Sequence, residues 1–333
     1  MEGYHAKRYF RGLPAAGYRA MWWLIARRLI LAIPLLFIVS FLSFALVALT
    51  PGDPAVSILG SYATKAQDAA LDRQLGFNQP VLVQYGHWLA KVLHGNLGTS
   101  LASAQSVTTE LNSALGVTLC LVLGATLVTA AGGVALGTLS AIRGGAVGRV
   151  TDAVAMLGFA IPAFWLGLVL RDLFAVRWHL VPATGYEPFT QSAAGWAESL
   201  ILPVATLAAA GMTGIAKQTR DSMRDTLARD YIDALRADGV PEWRIIARHA
   251  LRNAAIPVVT MLGTFFVGLL GGTVLVESVF AMPGLGSLAV TATTEHDLPV
   301  IVGVAVYFAV GVVVVNLLID VLYGWLDPRA RVA

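Results

Sequence analysis

A single cysteine, Cys120, stands among 333 residues, so no disulfide can form within the chain. Charge is also scarce. Asp, Glu, Lys and Arg make up 13% of the residues, and soluble domains carry about twice that share. Only four lysines occur, Lys7, Lys65, Lys91 and Lys217, and none is followed by Ser or Thr. The Walker A phosphate loop needs that pair, so this chain holds no ATP in that way. The six histidines (His5, His87, His94, His179, His249 and His296) include no pair three or four residues apart. A zinc site built on one helix is therefore not expected. A G-x-S-x-G serine elbow is likewise missing. Neither an enzyme nor a resident cofactor is expected of this chain.

What is abundant is apolar sequence, at 57%. Six charge-free runs reach or approach the ~20 residues that a helix needs to cross a bilayer. They are Leu29–Leu49, Leu111–Ile142, Ala153–Leu170, Ser199–Ala216, Asn253–Val276 and Leu298–Ile319. The ~10-residue alternating segments of a membrane barrel do not occur. The predicted fold class is an all-α membrane protein with six transmembrane helices.

The basic residues orient it. Eighteen of the 23 Lys and Arg fall in residues 1–28, the second and fourth connections, and the tail. The positive-inside rule places those segments, and both termini, in the cytoplasm. The net charge of +3 is thus a topology signal and does not point to nucleic acid. Residues 1–28, with Trp22 and Trp23, read as a basic interfacial helix entering an uncleaved first span. The membrane body then runs over 29–326, and 327–333 is a cytoplasmic tail.

On the other side, the longest connection, 50–110, opens with Thr50-Pro51-Gly52-Asp53-Pro54, a helix stop. Within it Val81, Tyr85, Trp88, Leu89 and Val92 recur at helical spacing. Two readings stand: a helix lying on the outer membrane surface, or a docking surface for an external partner. Gly124, Gly132, Gly133 and Gly137 in the second span read as close helix packing. Pro162 predicts a kink in the third, and Arg171 and Asp172 beyond it are expected to pair or snorkel. The carboxylates nearest the spans are Asp152, Asp172, Glu277 and Asp320, all at span ends. A mid-membrane carboxylate for ion coupling is therefore lacking.

The most informative stretch is polar. Lys217 to Arg252 holds eight Lys/Arg and six Asp/Glu between two apolar runs. It reads as two short amphipathic helices joined at Gly239-Val240-Pro241. The first carries Leu227, Tyr231, Ala234 and Leu235 on one face, with Lys217–Asp221 and Asp225–Arg229 at i,i+4 spacing. The second carries Trp243, Ile246, Ala247, Ala250 and Leu251 on one face and Arg244, Arg248 and Arg252 on another. Gly239 suits a left-handed cap, and Pro241 the first turn of the next helix. Such a hairpin is either a solvated connection or a rigid lever for a cytoplasmic partner.

Tyr231-Ile232-Asp233-Ala234-Leu235-Arg236-Ala237-Asp238-Gly239, followed by His249-Ala250-Leu251-Arg252-Asn253-Ala254-Ala255-Ile256-Pro257, resembles the "EAA" loop of ABC importer permeases. More narrowly it is similar to the dipeptide/oligopeptide/nickel branch. Asp233, Ala234, Gly239 and Leu251 fall on the pattern, while Leu235, His249 and Arg252 depart from it. Pro51-Gly52-Asp53-Pro54, Gly95-Asn96-Leu97-Gly98, Glu277-Ser278-Val279-Phe280 with Pro283-Gly284-Leu285-Gly286, and Leu326-Asp327-Pro328-Arg329 agree in order and spacing.

The resemblance implies a type I importer permease in a bacterial inner membrane, the first of two permease subunits. It implies a second, similar permease, two ATPase subunits (or one fused pair) carrying ATP and Mg, and an external solute-binding protein. It implies coupling to the ATPase through Tyr231, Asp233, Ala234, Leu235, Ala237, Asp238, Gly239 and Pro241. The implied cargo is a di- or oligopeptide, with nickel or another small solute as the alternative. A stand-alone secondary transporter is the reading from a different class.

Overall fold

The computed structural model describes residues 14–49, 78–145, 148–150 and 161–326, with isolated positions 64, 66, 67, 70, 73, 76 and 153. Among these the regular structure is helical, and the one isolated antiparallel bridge joins Thr99 with Ser106. In order come α1 (Pro14–Leu49), α2 (Val81–Leu93), α3 (Val107–Arg143) and α4 (Ala163–Leu170), which runs on as a π-helical turn, Arg171–Arg177. Then follow α5 (Ala193–Leu227), α6 (Asp230–Ala237), α7 (Glu242–Phe280), α8 (Leu285–Thr294) and α9 (Leu298–Leu326).

Five described helices are long and apolar enough to cross a membrane: Ile25–Val47 of α1, and α3, α5, α7 and Leu298–Leu322 of α9. Residues 154–160 of the expected third span lie outside the described residues, as does Asp152; its C-terminal end, α4, is described. All five spans extend beyond the charge-free runs, because helices tolerate charge where they leave the hydrocarbon. The expected interfacial helix is not separate, since α1 is continuous from Pro14. Residues 1–13 and 327–333 lie outside the described set.

Helix α5 is the centre: 67% of its apolar window is buried within the chain, against 17% for α1 at the edge. The α3–α5 contact is made by glycine. Val204 covers Gly124, Met212 covers Gly132, and Ile215 covers Gly133. At Gly137 a β-carbon would collide with the carbonyl oxygen of Ala216, which is backbone and cannot swing aside. In lipid, where no hydrophobic force joins two helices, this close approach supplies the packing. Gly137→Val should therefore force α3 from α5 and lower the amount of folded protein in membranes severalfold, measured by fluorescence-detected size exclusion. Gly116→Val, whose β-carbon meets nothing within 4 Å, is the matched control.

At the end of the bundle away from the 217–252 stretch, two buried carboxylates tie elements together. Glu277 is fully buried near the end of α7. It accepts from the Thr118 hydroxyl of α3 at 2.8 Å and the Ser287 amide of α8 at 2.9 Å, while Thr118 accepts from the Leu285 amide at 2.8 Å. Gly284 and Gly286 bring the turn down onto this carboxylate, where any side chain would collide with it. Asp297, 1% exposed, accepts from the Ser100 hydroxyl at 2.5 Å and the Leu101 amide at 2.9 Å, fixing the 95–106 loop to the head of α9. Arg171 and Asp172 do not pair with each other. Asp172 meets Arg177 at 2.8 Å, and Arg171 donates to the Val279 carbonyl at 2.6 Å. Asp320 of α9 pairs with Arg28 of α1 at 2.6 Å.

Helix α2 does carry its apolar residues on one face, but that face meets protein. Tyr85 donates to or accepts from Ser40 of α1 at 2.9 Å, and Trp88 packs near Phe44 of α1 and stacks on Tyr85, ring centroids 5.9 Å apart. Its opposite face, with His87 and Lys91, is exposed.

Candidate functional site

The polar stretch folds differently at its two ends from the expected pair of short helices. Lys217 to Leu227 is the end of α5, not part of a separate hairpin. The chain breaks at Ala228-Arg229, so Asp225 and Arg229 lie on either side of a bend. Asp221 is taken by Arg220, at 3.1 Å, rather than by Lys217. The eight-residue α6 follows, and α7 starts at Glu242 and continues without a break into a membrane span. Pro241 precedes that first turn as its cap; its carbonyl accepts from Arg244 and Ile245 at 2.9 and 3.2 Å.

The corner is well determined. Gly239 has φ +75°, a region closed to most side chains. Its amide returns to the Arg236 carbonyl at 3.0 Å, and the Val240 amide returns to the Leu235 carbonyl at 3.0 Å. These two crossed bonds are the Schellman closure of a helix. Arg236 braces the same corner from outside, with Nε and a terminal nitrogen on the two oxygens of Glu242 at 3.2 and 2.9 Å. Its other terminal nitrogen reaches Asp233 at 3.0 Å. The hydrogen bonds to Glu242 first, and then to Asp233, hold this guanidinium above its ordinary pKa. Asn253 of α7 donates to the Tyr231 hydroxyl at 2.9 Å, a second tie from α6 to α7.

The buried faces match the periodicity only in part. Ala250 is fully buried as expected, but so are Ile232 and Ile245, which the periodicity did not pick, whereas Tyr231, Ala234, Trp243 and Ala247 are exposed. The π-helical run Ile245–Ala250 is the reason on α7: i→i+5 bonding turns the face away from the 3.6-residue count. On α6 the bend at Ala228 resets the phase. Beneath the elbow, Met223, Ala250 and Ala254 form a small core with Ala141, Leu227, Ile246 and Leu251 packed against it.

The residues singled out by the resemblance thus share one exposed ridge. Tyr231, Asp233, Ala234, Ala237, Asp238, Gly239 and Pro241 are exposed, and Leu235 is half-buried. Trp243, 66% exposed, extends that ridge under the guanidinium of Arg244, 5.3 Å from the ring centroid. Sequence reasoning missed Arg236, Glu242 and Asn253. Arg236 and Glu242 are six apart, a spacing that means contact only across a known corner. The ridge holds no cluster that could carry a metal: among the described residues no group of three His, Cys, Asp or Glu comes together anywhere.

Comparison with known proteins bears on this arrangement. Residues 133–332 match the family model described as "Binding-protein-dependent transport system inner membrane component", and residues 21–122 match the model of its N-terminal region. The "Glutathione transport system permease protein GsiC" of Salmonella choleraesuis (strain SC-B67) is 40% identical over 308 residues, 92% of this chain and 98% of that protein. A "Probable peptide ABC transporter permease protein" of Sinorhizobium fredii (strain NBRC 101917 / NGR234) is 37% identical over the same shares. Among solved structures, one titled for inward-facing conformations of the MetNI methionine ABC transporter superposes with a TM-score of 0.55. It covers 66% of this chain and 97% of that one at 18% identity, a likeness of fold alone. With two family models spread over most of its length and relatives near 40% identity, this chain belongs to the inner-membrane components of binding-protein-dependent transport systems, the permeases of ABC importers.

Proposed function

We propose that this chain is one of two permease subunits of an ATP-driven importer of di- and oligopeptides, with six spans and both termini cytoplasmic. The exposed, braced α6 elbow is the observation that carries the reading. A rigid convex ridge between two spans is what a cleft on a moving ATPase can hold. Tyr231, Asp233, Ala234, Leu235, Ala237, Asp238, Gly239 and Pro241 form that contact, and ATP and Mg belong to the partner subunits. Closure of the ATPase pair biases one of two arrangements of the spans, as a two-state switch requires.

The route for the displacement is α7 itself. It is one helix of 39 residues, on the order of 55 Å long, from the elbow to Glu277 and the outer turn. Motion at α6 therefore reaches the outer side through a single continuous element. The Arg28–Asp320 pair joins the start of the first span to the end of the last, which supports both lying on one side. The clustering of Lys and Arg supports that side being the cytoplasm.

Peptide is favoured over nickel as cargo because relatives near 40% identity carry peptide and glutathione names. The assembled transporter, reconstituted in liposomes with its binding protein outside and ATP inside, should accumulate labelled dipeptide. Uptake without ATPase subunits, or uptake of nickel but no peptide, would reject the reading.

A further inference from the structure

At the 217–252 end of the bundle, apart from the α6 ridge, a groove of about 690 Å³ runs between α3 and the start of α7. Ala131, Ala135, Leu139 and Ile142 line it on α3 and Leu251 on α7, and Thr138 is its only polar side chain. Leu139 and Ile142 are 39% and 48% exposed, so this chain leaves the groove open. Along the groove, from Ala130 to Ile142, α3 rises about 18 Å, close to the ~15 Å of hydrocarbon in one leaflet. The groove stops where charge begins. Leu251 divides two sides of α7. On one, Ala250 and Ala254 are buried with Met223 of α5; on the other, Arg248 and Arg252 are exposed. Neither guanidinium makes an ion pair or hydrogen bond among the described residues. The two arginines stand about one turn apart, close enough to reach a single phosphate group.

We propose that the groove and the two arginines form a binding site for an anionic phospholipid, with an acyl chain along α3 and the phosphate between Arg248 and Arg252. The inference rests on the cytoplasmic placement of this end proposed above. Two features select a lipid over a helix of another subunit. The groove is as long as one leaflet is deep, and its mouth carries two unpaired cations. Arginine holds phosphate through short charge-assisted hydrogen bonds, and cations at this depth favour anionic headgroups. A zwitterionic headgroup brings its own cation to the same place and loses that advantage. Free phosphate leaves the apolar groove unfilled. The bound lipid joins α3 to the first turns of α7, directly beside the elbow.

The test uses the whole transporter in nanodiscs containing a trace of phosphatidylglycerol or phosphatidylcholine with a photoreactive diazirine on one acyl chain. After illumination, mass spectrometry locates the adducts. Phosphatidylglycerol should label the Ala130–Ile142 segment of α3, and phosphatidylcholine should label it about tenfold less. Replacing both arginines, Arg248→Gln with Arg252→Gln, should lower phosphatidylglycerol labelling to the phosphatidylcholine level, the effect of removing two cations at an anionic surface. Returning lysine at both positions should restore most of it. Ala135→Trp, which fills the groove and leaves the arginines in place, should abolish labelling of the segment by either lipid. Equal labelling by the two lipids, or labelling indifferent to the arginines, shows only the ordinary lipid contact of a membrane helix and overturns the site. A cysteine at Ala135 that crosslinks to another subunit in high yield overturns it as well, since a helix then fills the groove. Failure of the orientation is told apart by Arg252→Cys: labelling of that thiol only from outside rejects the topology, whereas labelling from the cytoplasm without lipid selectivity rejects the lipid site alone.

Discussion

Gly239→Trp should leave the chain inserted and assembled yet reduce binding-protein-stimulated ATP hydrolysis and uptake by about tenfold or more, within the range of ordinary coupling energies between sites. Two observations set this outcome. The glycine has φ +75°, so a side chain adds about 1–2 kcal/mol of local strain. A β-carbon there meets nothing within 4 Å, so the side chain leaves the corner without striking a neighbour in the subunit. What would lack room is the proposed contact of the ridge with an ATPase subunit. The measurement is ATPase activity of the purified complex against binding-protein concentration, with subunit stoichiometry checked on the same sample. Stimulation at the wild-type level would mean that the elbow is a connection and not a lever.

Glu277→Ala should have the largest effect on folding. The carboxylate is fully buried and holds three elements through Thr118, Ser287 and, by way of Thr118, Leu285. Its removal leaves a buried hydroxyl and an amide without acceptors and opens a void beneath Gly284 and Gly286. The expected loss is about 3 kcal/mol, from the unmade hydrogen bonds and the void together. Glu277→Gln should recover part of it, because one amide oxygen still accepts while the NH₂ faces a donor. Melting of the purified complex in detergent is the readout. Wild-type melting of the alanine variant would show that the turn at Gly284–Gly286 does not depend on this carboxylate.

The difference between what the sequence disclosed and what needed coordinates has physical causes. The Gly239 corner was legible because glycine suits a left-handed cap and proline, two residues on, suits the start of the next helix. The glycines of α3 were legible as packing because small residues in lipid have few other uses. The single apolar face of α2 was legible from its period, but whether that face met lipid or protein was not, since both are apolar. The faces of α6 and α7 were read only in part, because the bend at Ala228 and the π-helical run at Ile245 each change the angular count per residue. The elbow was expected to be two free-standing helices because charge seemed to end a span; instead the helix of the span persists through Arg252, Arg248 and Arg244 into the elbow. Glu277 and Asp297 were the deepest omissions. A carboxylate at a span end looks idle in sequence, and its partners lie 159 and 197 residues away.

The exposed ridge of α6 is the central claim, and proximity tests it most directly. A cysteine placed at Ala237, exposed on that ridge, should crosslink to an ATPase subunit in the assembled complex, with a yield that changes when ATP is bound. A crosslink to the binding protein instead, or none to any ATPase subunit in either nucleotide state, would contradict it.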